Sequence, residues 1–130
     1  MNSAMKRITV LLLAILAIAG CASGPEPAGG DKDVFPGQGR APSLAQAMAN
    51  AKMDAVRNAV IDMIGVSREE ANSELLEQEL YNSRNPNAFV YPETMETVAK
   101  ENVGTTEELD FVYEVRIRVN RGAVETVLRR

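Results

Sequence analysis

One hundred and thirty residues carry fourteen basic and eighteen acidic side chains, a formal net charge of −4, with one cysteine and no histidine. A lone cysteine excludes an intrachain disulfide, and the missing histidine removes the commonest zinc ligand and the usual base of a nucleophilic triad, so neither metal nor cofactor is expected. The acidic balance, with no basic cluster beyond Arg129-Arg130, excludes the counterion-releasing surface that nucleic acid binding draws on.

Behind Lys6-Arg7, residues 8–19 form an apolar run with the charge and length of a secretory leader, and Met5 reads as a natural start. The run falls short of the roughly twenty apolar residues that span a bilayer, and Gly24, Pro25, Pro27, Gly29 and Gly30 follow at once. Residues 1–20 therefore read as a signal peptide. Its end, Ile18-Ala19-Gly20-Cys21, resembles the bacterial lipobox. The resemblance implies cleavage between Gly20 and Cys21, a diacylglyceryl group on the Cys21 thiol, and a new amino terminus open to a palmitate-class acyl chain. One fatty chain binds a bilayer only marginally, and two or three make a durable anchor. Ala22, standing where some signals place an aspartate, resembles the export signal for the outer membrane of diderm bacteria. The alternative is an ordinary secreted chain with a chance cysteine.

Losing Lys6 and Arg7 with the leader leaves twelve basic against eighteen acidic residues, a formal charge of −6, so attachment to a membrane would rest on covalent lipid. Residues 21–32 are Gly, Pro, Ala and charge, too poor in apolar surface to offset the entropy of ordering them. They read as a lipidated tether with a coil spread of about 15 to 20 Å. Residues 33–130 remain for one domain with one modest core.

In that domain, residues 34–40 read as an edge strand or an arm, since Pro36 cannot donate to a central ladder. Gly37-Gln38-Gly39 echoes a phosphate loop but lacks the third glycine and the lysine. Ser43-Leu44-Ala45-Gln46 is a capping box opening a helix that Gly65 ends. Leu44, Met48, Ala51, Ala55, Ala59 and Met63 make its apolar stripe, widened by Val56 and Val60, with Lys52, Asp54, Arg57 and Asn58 outside it. Ala47, Ala51, Ala55 and Ala59 let this helix lie close to a sheet.

Ser67-Arg68-Glu69-Glu70 is a second capping box, predicting a helix over 68–81 with Ala71, Leu75, Leu76 and Leu80 inward and Glu69, Glu70, Glu74, Glu77 and Glu79 on a solvated face. Residues 82–87 are turn chemistry, and 88–91 could extend briefly before Pro92. The clearest strand is 109–120, where Phe111, Tyr113, Val115, Ile117 and Val119 alternate with polar positions. Its hairpin partner is 95–103 across a five-residue connection, bringing Lys100 or Glu101 opposite Arg116 or Glu114. Asn120 caps a short final helix carrying Val124, Val127 and Leu128. The expected fold is α+β: two main helices packed on a small antiparallel sheet, with a short C-terminal helix.

Candidate chemistry is sparse. Asp54 and Asp62 could pair as acid and base, but neither sits in a catalytic motif, and acids on a helix surface are ordinary. Ser43 and Ser67 are accounted for by capping. Tyr81, Phe89 and Tyr91 flank the central turn, where they would close the core or line a groove.

Gly37-x-Gly39, the helix with Ala47, Ala51, Asp54-Ala55 and Asn58, Gly65-Val66 at its end, and Tyr113-x-Val115-x-Ile117-x-Val119 before a short helix together resemble the Lpp-twenty lipoproteins and the N-terminal domain of flagellar assembly protein T. The resemblance covers roughly residues 35–128, departing in the acidic second helix and the 82–92 insert. It implies a compact α+β domain without enzymatic chemistry, in several members part of outer-membrane flagellar rings. The expected function is thus a non-catalytic, lipid-anchored interaction or scaffold domain of the bacterial envelope, with envelope or flagellar proteins or further copies of itself as partners. The alternative is a periplasmic lipoprotein that binds a small molecule or peptide in a groove near Tyr81 and Tyr91.

Overall fold

The computed structural model describes residues 31–130. The expected signal peptide, Gly20, Cys21 and nearly all of the 21–32 tether lie outside the described residues. Three strands form one antiparallel sheet in the order β1-β3-β2, with β1 (Val34–Ala41) and β2 (Glu96–Asn102) on the edges and β3 (Phe111–Arg118) between them. Helix α1 (Leu44–Ile64) crosses one face of this sheet, giving the expected α+β arrangement.

The core forms where α1 meets the sheet. Ala47, Ala51, Ala55 and Ala59 are fully buried with Val56 and Val60, against Val115, Ile117 and Val119. Complete burial of each Val or Ile side chain contributes about 1.5 to 3 kcal/mol, so these few residues dominate the stability of the domain. Gly37 and Gly39 face Val115 and Tyr113 across the β1–β3 ladder and point at α1. A Cβ added to Gly37 would overlap the Ala51 carbonyl oxygen, and one on Gly39 would overlap the Ala47 carbonyl oxygen. The glycine pair is therefore the seat of the helix. The phosphate-loop echo is a packing motif in mid-strand.

That close approach also closes the free edge of β1. Asn50, Asp54 and Asn58 recur every four residues along α1, and their short side chains reach the strand groups that turn away from β3. Asn58 Nδ2 donates to the Pro36 carbonyl at 2.8 Å, the Gln38 N–H donates to Asp54 Oδ2 at 2.9 Å, and Asn50 Nδ2 donates to the Arg40 carbonyl at 3.1 Å. Pro36 fits this strand because its missing N–H belongs to the same outward series.

Helix α1 begins and ends as its sequence indicates: Ser43 Oγ accepts from the Gln46 N–H at 3.2 Å, and Gly65, at φ 85°, donates its N–H to the Ile61 carbonyl. One position of its polar face differs. Lys52 is buried, its Nζ donating to Asn87 Oδ1 at 2.9 Å, because the 82–92 segment folds over that side of α1 and needs a polar tie.

The second helical stretch departs further. It starts at Val66, directly after the Gly65 turn, so Ser67 lies inside α2 (Val66–Ala71) and caps nothing. It breaks at Asn72, whose Nδ2 donates back to the Arg68 carbonyl at 2.7 Å, resumes as α3 (Ser73–Leu76), and finishes in a π turn over Glu77–Tyr81. The break re-aims the faces: Leu76 and Leu80 are buried, whereas Ala71 and Leu75 are exposed. The stretch packs beside α1 and the final helix, residues 121–128. Residues 88–91, expected to extend briefly, follow a 3-10 turn at Pro86–Ala88 and make only a single bridge, from Val90 to Val119.

The β2–β3 hairpin is as expected in partners and direction but not in register. Glu96 faces Arg116, Ala99 faces Glu114 and Lys100 faces Tyr113, with a bulge at Val98. The connection runs over residues 103–110, because Asn102 Oδ1 accepts from the N–H groups of Gly104 and Asp110 and ends the ladder early. Helix α4 (Arg121–Leu128) starts at Asn120, whose side chain accepts from the Ala123 N–H at 3.1 Å.

Candidate functional site

The carboxylates singled out as conceivable acid and base each serve a structural contact. Asp54 caps the β1 edge, and Asp62 pairs with Arg121 Nη2. Arg121 also pairs through Nε with Asp33 at 2.9 Å and lies 5.9 Å from the Phe35 ring centroid, so one guanidinium ties the start of β1, the end of α1 and the start of α4. Hydrogen bonding to Asp62 holds this guanidinium above its ordinary pKa. Arg40 and Asp110 form an exposed pair at the other end of the sheet, and the bond from Arg40 lowers the Asp110 carboxyl. Tyr81, Phe89 and Tyr91 are put to different uses. Tyr81 donates its hydroxyl to Glu69 on α2, Phe89 packs on the core, and Tyr91 is exposed with its N–H on the Arg118 carbonyl.

A polar cluster that the charge pattern hid joins α1 to α2. Glu69, assigned above to a solvated face, is 1% exposed. Its Oε1 accepts from Arg57 Nε at 2.9 Å and from the Tyr81 hydroxyl at 3.1 Å, while the Arg57 guanidinium lies 5.9 Å from the Tyr81 ring centroid. Burial, then the Glu69 charge, push the Tyr81 phenol above its ordinary range. The seven-residue spacing of Glu69 from Leu76 was the available signal, since residues seven apart share a helix face. A single carboxylate oxygen of Glu69 thus holds both Arg57 and Tyr81, which makes the trio a clamp.

An open cleft of about 420 Å³ lies between the end of α1, the α2–α3 stretch and the end of α4. Ile64, Leu75, Leu76, Val127 and Leu128 form its apolar walls. The Gly65 turn and the break at Asn72 create it, by folding the second helical stretch back without closing it against α4. Leu75 is left 58% exposed at its wall. Arg68, Arg130 and Glu79 supply the charges. The volume lies in the range of small-ligand sites, and a mostly apolar wall with a few convergent polar groups is the usual form of one. The cleft is on the helical side of the domain, whereas the sequence suggested a groove near Tyr81 and Tyr91.

Among the described residues, no helix is long and apolar enough to cross a membrane, and no group of three or more His, Cys, Asp or Glu side chains converges as metal ligands would. Compared with protein-family models, curated proteins and solved structures, the chain matches none.

Proposed function

We propose that this chain is a lipid-anchored, non-catalytic interaction domain of a bacterial envelope, held at a membrane through Cys21 and presenting the α+β domain on a short tether. The observation that carries the reading is the use made of its reactive side chains. Asp54, Asp62 and Glu69 are each engaged in contacts that hold strand to helix or helix to helix. The lipobox resemblance at Ile18-Ala19-Gly20-Cys21 supplies the anchor and, with Ala22, the outer membrane as its address. The resemblance to the Lpp-twenty lipoproteins and flagellar assembly protein T adds flagellar or envelope assemblies as the partner class.

Intact-mass measurement of the chain purified from its membranes tests the anchor. A mature protein starting at Cys21 and carrying diacylglyceryl and acyl groups is expected; a free thiol or an uncut leader overturns it. Deletion of the gene, scored by swimming and by images of flagellar basal bodies, tests the partner class, and normal motility with intact rings removes it.

The cleft favours a second reading, in which the same anchored domain binds a small ligand. Its apolar wall is open at Leu75, and the Ile64, Leu76, Val127 and Leu128 side chains beside it continue into the core.

A further inference from the structure

Building on the ligand-binding reading, we propose that the cleft between α2–α3 and α4 takes a single-chain anionic amphiphile, specifically a long-chain fatty carboxylate. The walls Ile64, Leu75, Leu76, Val127 and Leu128 suit a hydrocarbon chain, and about 420 Å³ lies toward the small end of ligand sites, fitting one chain better than the two of a phospholipid. Charge identifies the head. In a chain of net charge −4, this cleft is lined by two arginines, Arg68 and Arg130, against the single acidic side chain of Glu79. Arg40, Arg57, Arg121 and Arg129 are paired with Asp or Glu, whereas Arg68 and Arg130, like Arg84 and Arg116 elsewhere in the domain, have no carboxylate within salt-bridge reach among the described residues. Arg68 and Arg130 are the two of these that line the cleft. A guanidinium presents a planar fork of donors that matches a carboxylate with two parallel bonds.

An extended peptide fits less well, because its backbone amides need partners along their length. The walls are helix side chains, and the one amide side chain there, Asn72, already donates to the Arg68 carbonyl. An acyl chain carries no polar group along its body and leaves nothing unsatisfied.

The test uses the full chain reconstituted in nanodiscs of neutral lipid, with a photoreactive fatty acid and the matching fatty alcohol as probes. Labelled peptides are mapped by mass spectrometry. Saturable labelling of Leu75, Leu76, Val127 or Leu128 by the acid is expected, with at least tenfold less by the alcohol and at least tenfold less by the acid on the Arg68→Gln/Arg130→Gln variant. Both arginines lie at the cleft away from the core, so this variant should keep the parent circular dichroism. A third variant, Leu75→Glu, places a repelling charge on the exposed wall and should also abolish labelling. Equal labelling by acid and alcohol overturns the anionic class but leaves a binding cleft standing. Absence of cleft labelling by either probe overturns the inference. In that case a thermal-shift panel of metabolites and peptides decides the broader reading, which falls only if no member stabilises the chain.

Discussion

Gly37 sits so close to Ala51 that a single added methyl on the strand would overlap the helix carbonyl, and the same methyl would lie 3.0 Å from the Ala55 Cβ. Because the obstacle is helix backbone, α1 would have to move as a body, displacing the Ala47–Ala59 stripe from the sheet. Gly37→Ala and Gly39→Ala should each destabilise by about 3 kcal/mol, at the upper end of overpacking costs. Urea denaturation measures this. Gly122→Ala is the contrast: its Cβ would meet only Asn120 Oδ1 at 3.6 Å, an ordinary contact inside α4. It should stabilise by about 0.5 to 1 kcal/mol through the better helix propensity of alanine.

The Arg57–Glu69 pair is asymmetric, one partner half exposed and the other sealed in. Removing Arg57 leaves a buried carboxylate with only the Tyr81 hydroxyl for company, whereas removing Glu69 leaves a guanidinium that water can reach. Arg57→Ala should therefore cost about 3 kcal/mol, and Glu69→Leu about 1 kcal/mol. The order of the two is the test, read from denaturation midpoints at neutral pH. An equal or reversed order would show that the carboxylate is not sealed as described.

Tyr81 gives the clamp a signature in alkali. Burial and the neighbouring carboxylate raise the folded phenol above its ordinary value of about 10. A raised pKa means that the native state holds its proton while the unfolded chain releases it. Stability is then full below the unfolded value, begins to fall near pH 10, and continues to fall until the folded phenol ionises. Tyr81→Phe should lose about 1 kcal/mol at pH 7 with its hydrogen bond and fall less steeply than the parent above pH 10. Parallel pH profiles for the two proteins would contradict the assignment.

The sequence makes visible what short-range periodicity controls. Ser43, Gly65 and Asn120 mark helix ends because capping is settled within four residues, and the alternation from Phe111 to Val119 identifies the central strand. Glu69 and Lys52 are hidden because their burial depends on partners on other segments, Arg57 with Tyr81 and Asn87, that no local pattern connects. Ser67 has the capping-box spacing, yet Gly65 turns the chain two residues earlier and the helix starts before the box can act. The cleft was out of reach for the same reason. Its walls come from three helices, and Leu75 reads as a core residue until the break at Asn72 rotates it outward.

The polar row Asn50, Asp54 and Asn58 makes the last prediction, since it does for β1 what a neighbouring strand would do. An open edge strand is a template for pairing with another chain, and proteins protect such edges by capping, charge or bulges. The other edge, β2, is protected by its bulge at Val98 and by Glu96, Lys100 and Glu101. Asp54→Ala alone should cost about 1 kcal/mol, the net worth of one hydrogen bond whose donor water can partly reach. The triple variant Asn50→Ala/Asp54→Ala/Asn58→Ala frees the whole edge and should sediment as larger species than the parent at equal concentration. Adding Gln38→Pro to the triple variant, which removes the N–H that Asp54 covered, should reverse that association by taking a donor away from the opened edge. A triple variant that sediments like the parent would mean that the twist of β1, and not the side-chain row, keeps the edge closed.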